Sequence, residues 1–129
     1  MKSLIYIELT ESIPFAYEKE LILWAKKQFS DISTFDVDNQ SEALMFSYAQ
    51  TMAELPGKLA VYVVAEEKVS AAKALRLAEK LTSRKLPTLV IMQGENAMLN
   101  RMFGLLKDVF HKVQTEEEGK KLMEEFWRE

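Results

Sequence analysis

The spacing of hydrophobic positions changes repeatedly along the chain. Residues 4–9 form a nearly continuous apolar run closed by Thr10-Glu11-Ser12. Over residues 14–29 the spacing becomes helical, with Tyr17, Leu21, Trp24, Ala25 and Phe29 on one face at about 100° per residue and Leu23 pointing away. Residues 33–38 alternate, Phe35 and Val37 against Thr34, Asp36 and Asp38. Residues 42–55 read as a helix with Leu44, Tyr48, Met52 and Leu55 inside and Phe46 outside, stopped by Pro56-Gly57. Residues 59–65 are a strand apolar on both faces. Residues 69–84 are helical, with Ala71, Ala74, Leu75 and Ala78 inside. Pro87 precedes a strand over residues 88–92, a helix over 96–107 and a short strand over 109–113. Thr115 and Glu118 form a capping box that opens a last helix.

Strict alternation of five strands and five helices is the signature of a parallel sheet covered on both faces. Strands buried on both faces read as continuous apolar runs, so the first, third and fourth suit the centre. The second strand, and the fifth with His111 and Lys112, carry polar residues and suit the edges. With right-handed crossovers the compatible order is 2-1-3-4-5. This resembles the flavodoxin-like arrangement, a three-layer α/β/α sandwich formed by one doubly wound α/β domain over residues 1–129. In such a sheet ligands bind beyond the carboxyl ends of the strands, where the winding reverses. That places a crevice between the first and third strands. Its rim is expected to hold Thr10, Ser12, Glu66 and Glu67, flanked by Gln93 and Asn96, with Glu18 on its wall.

Composition narrows the chemistry. With 17 Lys plus Arg against 20 Asp plus Glu, the net charge is −3, which argues against a phosphate-neutralising nucleic-acid binder. There is no Cys for a disulfide, a thiol nucleophile or a thiolate metal site, and His111 is the only His. The loop after the first strand has no Gly and contains Pro14, which lacks an N–H, so it fits neither a phosphate-cradling loop nor a flavin phosphate site. Receiver domains of two-component signalling share the strand order. Their acceptor Asp is replaced here by Glu66 and Glu67, and their hydroxyl by Gln93-Gly94. No cofactor and no metal are therefore expected. The apolar N-terminal run is too short for a signal-peptide core or a membrane span, so a cytoplasmic protein is expected, with no membrane contact.

Other constellations have simpler readings. Asp36 and Asp38 on an edge strand discourage edge-to-edge pairing, and Asn39 with Glu42 would cap the next helix. Lys73, Arg76, Lys80 and Arg84 form a basic stripe that suits the solvated side of a sheet-packing helix. Gly119 shares a face with Leu122, Met123 and Phe126, and would allow close approach of the last helix to the sheet. Glu18, inside an apolar stripe near the crevice, is the strongest candidate for acid–base work.

The helix over residues 96–107 carries an apolar sector of about 160°, wider than a core-facing stripe requires. Met and aromatic residues are typical of adaptable interfaces. Met98, Leu99, Met102, Phe103 and Leu106 are therefore expected to form a homodimer or protein-partner surface. The function expected from these features is non-catalytic binding or regulation through that surface. The rival is a small-molecule enzyme or ligand binder that uses the crevice.

Overall fold

The computed structural model describes residues 2–11, 19–106 and 108–128. The strands are β1 (Lys2–Leu9), β2 (Ser33–Asp38), β3 (Lys58–Ala65), β4 (Thr88–Gly94) and β5 (Phe110–Val113). The helices are α1 (Glu20–Gln28), α2 (Ala43–Met52), α3 (Leu75–Ser83), α4 (Ala97–Phe103) and α5 (Glu116–Arg128), with a single 3-10 turn at Ala72–Ala74 before α3. One five-stranded sheet has the order β2-β1-β3-β4-β5, and every pairing is parallel. The order read from strand polarity is therefore the order found. Among the described residues, no helix is long and apolar enough to cross a membrane.

Side-chain alternation divides the core into two layers. Ile5, Ile7, Val61, Val63, Val90 and Met92 face α2, α3 and α4. Leu4, Tyr6, Ala60, Tyr62, Leu89 and Ile91 face α1 and α5. Crossover handedness explains the division. The β1–β2 connection runs toward one edge of the sheet, and the later crossovers run toward the other. Right-handed connections therefore place α1 opposite α2, α3 and α4. Gly119 sits directly over the Tyr62 ring, where any Cβ would collide with it, so α5 lies close to the sheet as its glycine predicts.

The phase of α2 differs from the expectation. Phe46, assigned to the outside, is 2% exposed and packs in the core with Ala49, Met52 and Ala53. Leu44 and Tyr48, assigned to the inside, are 75% and 62% exposed. The edge strand offers α2 a narrow apolar surface. Ala49 and Ala53 let the helix settle close to it, with Phe46 as the one large inward side chain. Capping also differs. Glu42 occupies the N-cap of α2 without a side-chain bond. Asn39 makes no capping box there; instead the Asp38 carboxylate accepts the Gln40 N–H at 2.8 Å and the Ser41 hydroxyl at 3.3 Å. The Thr115 hydroxyl does accept the Glu118 N–H, at 3.3 Å, in the first turn of α5.

The basic stripe of α3 is spent largely on carbonyls and one carboxylate. Lys73 donates to the Asn39 and Ser41 carbonyls, and Lys80 pairs with Glu54. Arg84 donates through Nε to the Ala53 carbonyl at 2.9 Å and through Nη2 to Leu55 at 3.0 Å and Gly57 at 2.9 Å. Its Nη1 reaches the Pro87 carbonyl at 2.6 Å and the Thr88 hydroxyl at 2.8 Å. One guanidinium thus ties the end of α2 and its turn to the start of β4.

Candidate functional site

The winding reverses between β1 and β3, whose ends pair as Leu9 with Ala65. The Glu66 N–H continues this pairing onto the Leu9 carbonyl at 3.0 Å. Several rim residues expected from sequence meet here, and most of them tie loops together. The Glu66 carboxylate accepts the Glu11 N–H at 2.8 Å, and Glu67 accepts the Ala97 N–H at 3.1 Å. Asn96, buried, caps α4 by accepting the Leu99 N–H at 3.2 Å. Its amide donates to the Val69 carbonyl at 3.0 Å. Gly94, at φ +100°, runs so close to the Ala65 carbonyl that a side chain would collide with it. Ser12 and Glu18 lie outside the described residues.

The more concentrated chemistry lies on the α1–α5 side of the same sheet ends, where Thr10 and Gln93, expected at the rim, bond to Glu8 and Tyr62, which periodicity did not single out. Tyr6 and Glu8 in β1, and Thr10 just past its end, follow a spacing of two, the period that puts side chains on one face. Glu8 is 6% exposed. It is held by Lys19 at 3.2 Å and by the Thr10 hydroxyl at 3.2 Å. Tyr6 is 5% exposed and stacks on Tyr62, with centroids 5.9 Å apart and planes 3° from parallel. The Tyr62 hydroxyl donates to the Gln93 side-chain oxygen. The signal was available in principle: a carboxylate inside an otherwise apolar strand, flanked at ±2 by Tyr and Thr.

Charge in this corner is tuned by burial. Desolvation pushes both phenols well above their usual range, and nearby Glu116 pushes each of them further. Glu8 adds to the effect on Tyr6. Glu116, half-buried in the first turn of α5, is itself raised, first by burial and then by Glu20 and Glu117, with Lys120 opposing. Neutral phenols beside carboxylates suit a cation or a hydrogen-bonding neutral group. An anion would meet like charge.

The remaining candidates fall elsewhere. Asp36 and Asp38 share this face of the edge strand, beside Tyr6 and Glu8 in the register. Among the described residues, no group of three or more His, Cys, Asp or Glu is placed to hold a metal ion. His111 lies half-buried in β5, away from the crevice, in a groove with Leu122 and Glu125. On α4, Leu99 and Phe103 are core residues and cannot serve as surface anchors. Met102 and Leu106 pack against the same core, and Met98 is exposed. The broad sector of α4 is explained by its position beside α3 and over β5, with Phe103 and Phe110 in contact at 5.4 Å.

Apolar exposure is instead concentrated on α2. Leu44, Met45 and Tyr48 are exposed, and the Tyr48 ring lies 5.3 Å from that of Phe35 on edge strand β2. The α2 segment, ALMFSYAQTM, contains no charged residue. Compared with family models, curated proteins and solved structures, the chain matches none.

Proposed function

We propose that the protein is a non-catalytic cytoplasmic binding module that pairs with a second copy of itself through the outer face of α2 and the adjoining edge of β2. The observation that carries this reading is the uncharged helix α2, which presents Leu44, Met45 and Tyr48 to solvent beside Phe35. Contiguous exposed apolar surface marks interaction sites. A chain of net charge −3 repels its own copies in general, and an uncharged patch is where two copies meet with least repulsion. A two-fold pairing uses the same patch on both partners, so a self-complementary apolar face is sufficient. This moves the expected interface from α4 to α2, because α4 turns most of its apolar sector inward.

Light scattering coupled to size exclusion tests the proposal. The expected result is a dimer at micromolar concentration, where a Kd of about 1 μM corresponds to roughly −8 kcal/mol. Leu44→Glu combined with Tyr48→Glu should yield a folded monomer, because both side chains are exposed in the single chain. A wild-type chain that stays monomeric at about 100 μM, a concentration about 100 times such a Kd, would overturn the proposal. So would a double variant that keeps the dimer mass.

A further inference from the structure

We propose that the cleft between α2 and the start of α3 binds a small organic carboxylate. Phe46, Ser47 and Gln50 line it from α2, and Lys73 and Arg76 line it from the other side, around a space of about 360 Å³. That is at the lower end of the range for ligand pockets, about 300–1,000 Å³. The state of Arg76 is the first observation. It belongs to the stripe of Lys73, Arg76, Lys80 and Arg84, and the other three cations are engaged. Lys73 holds the Asn39 and Ser41 carbonyls, Lys80 holds Glu54, and Arg84 holds the turn after α2. No hydrogen bond or ion pair among the described residues engages Arg76.

The polarity of the lining is the second observation, and it does not depend on the first. The chain carries a net charge of −3, yet no Asp or Glu lines this cleft. The nearest acids in sequence are Glu42, just before α2, and Glu79, one turn along α3 from Arg76, and neither is part of the lining. Two cations therefore share one opening with a hydroxyl and a side-chain amide. An anion there relieves the repulsion between the cations and meets no like charge in the walls.

The same groups set the ligand class. A guanidinium presents paired N–H groups that match the two oxygens of a carboxylate, and Arg76 has this fork to offer. An ammonium group has three N–H donors, and Lys73 uses two of them on carbonyls, at 3.2 and 3.1 Å. The third remains for a ligand oxygen. Ser47 and Gln50 supply neutral donors. Ala43, Ala72 and Phe46 make the rest of the lining apolar. A hydrated inorganic anion gains nothing from apolar walls, whereas a short hydrocarbon stem gains by leaving water. A phosphate ester brings nearly two charges, and one unpaired guanidinium matches a single one. A carboxylate on a short stem suits both halves of the cleft.

The test is an NMR titration of backbone amide and arginine side-chain signals with sodium butyrate, against butyramide, propyl phosphate and sodium phosphate at matched ionic strength. Saturable shifts at Ser47, Gln50 and Arg76 are expected with butyrate, and none with butyramide, which keeps the stem and lacks the charge. Arg76→Gln, at an exposed position, should weaken butyrate binding by about 10-fold or more, the range for losing a charge-assisted hydrogen bond. Lys85→Gln removes an equal charge from an exposed site outside the cleft and should leave binding unchanged. Dispersed amide spectra check that both variants fold. The proposal is overturned if butyrate gives no saturable shift, if either phosphate binds more tightly than butyrate, or if Arg76→Gln and Lys85→Gln bind butyrate equally well. Light scattering on the same samples reports the α2 dimer separately, so either reading can fail alone.

Discussion

Replacing Arg84 by Met keeps the length of the side chain and deletes all five N–H donors at once. In the structure each donor has its own acceptor: the carbonyls of Ala53, Leu55, Gly57 and Pro87, and the Thr88 hydroxyl. Hydrogen bonds to a charged group contribute about 1.5–3 kcal/mol each, so simple addition would give roughly 7–15 kcal/mol. That sum is too large, because Arg84 is only partly buried and water can replace the guanidinium at several of these carbonyls. Loss of a partly buried network of this kind should cost about 2–4 kcal/mol. Equilibrium urea unfolding reads this directly. With a slope of about 1.5 kcal/mol per M, the midpoint should fall by roughly 1.3–2.7 M with the slope unchanged. Arg84→Lys restores the charge but offers at most three donors from one nitrogen, and should recover less than half of the loss. A midpoint shift below about 0.3 M for Arg84→Met, or full recovery by Lys, would refute the view that this fork holds the α2 turn to β4.

Helix phase and pH supply three more predictions. Phe46→Ala should destabilise the fold by about 3–5 kcal/mol, while Leu44→Ala should stay within about 0.5 kcal/mol. The reverse pattern in urea midpoints, measured below the dimerisation range, would restore the stripe read from sequence. The Glu116 carboxyl is raised on folding above its unfolded value of about 4.3, so stability falls as pH rises through that value, and the loss is complete above the folded pKa. Glu116→Gln should flatten stability–pH profiles in that window, and a variant profile parallel to the wild type would count against the burial of this group. The Tyr6 and Tyr62 phenols carry the same sign at the alkaline end. Stability should decline as pH rises above about 10, where the unfolded phenols ionise first. Replacing either ring by Phe should remove part of that decline.

Strand order was legible in the sequence because it depends on how many faces each strand buries. Residues 59–65 are apolar on both faces and lie at the centre of the sheet, while the strand carrying Asp36 and Asp38 lies at its edge. The close approach of Gly119 to the sheet was legible for a similar reason, since a glycine on an apolar helix face has few other uses there. The phase of α2 was not legible. Phe46, Leu44 and Tyr48 are all apolar enough for either face, and only the sheet edge beneath the helix decides which is covered. The apolar sector of α4 was equally ambiguous until its place beside α3 and over β5 turned Leu99 and Phe103 inward.

The ends of β1 and β3 show the same division. The point where the winding reverses followed from strand order, since it lies between β1 and β3 wherever the order is 2-1-3-4-5. The chemistry there did not follow, because Tyr6, Tyr62 and Glu116 come from three different elements and Lys19 is the N-cap of a fourth. Local pattern reports how a residue sits relative to its own helix or strand. Which polar groups share one desolvated corner is settled by how α1 and α5 lie across the sheet, and that is a property of tertiary packing.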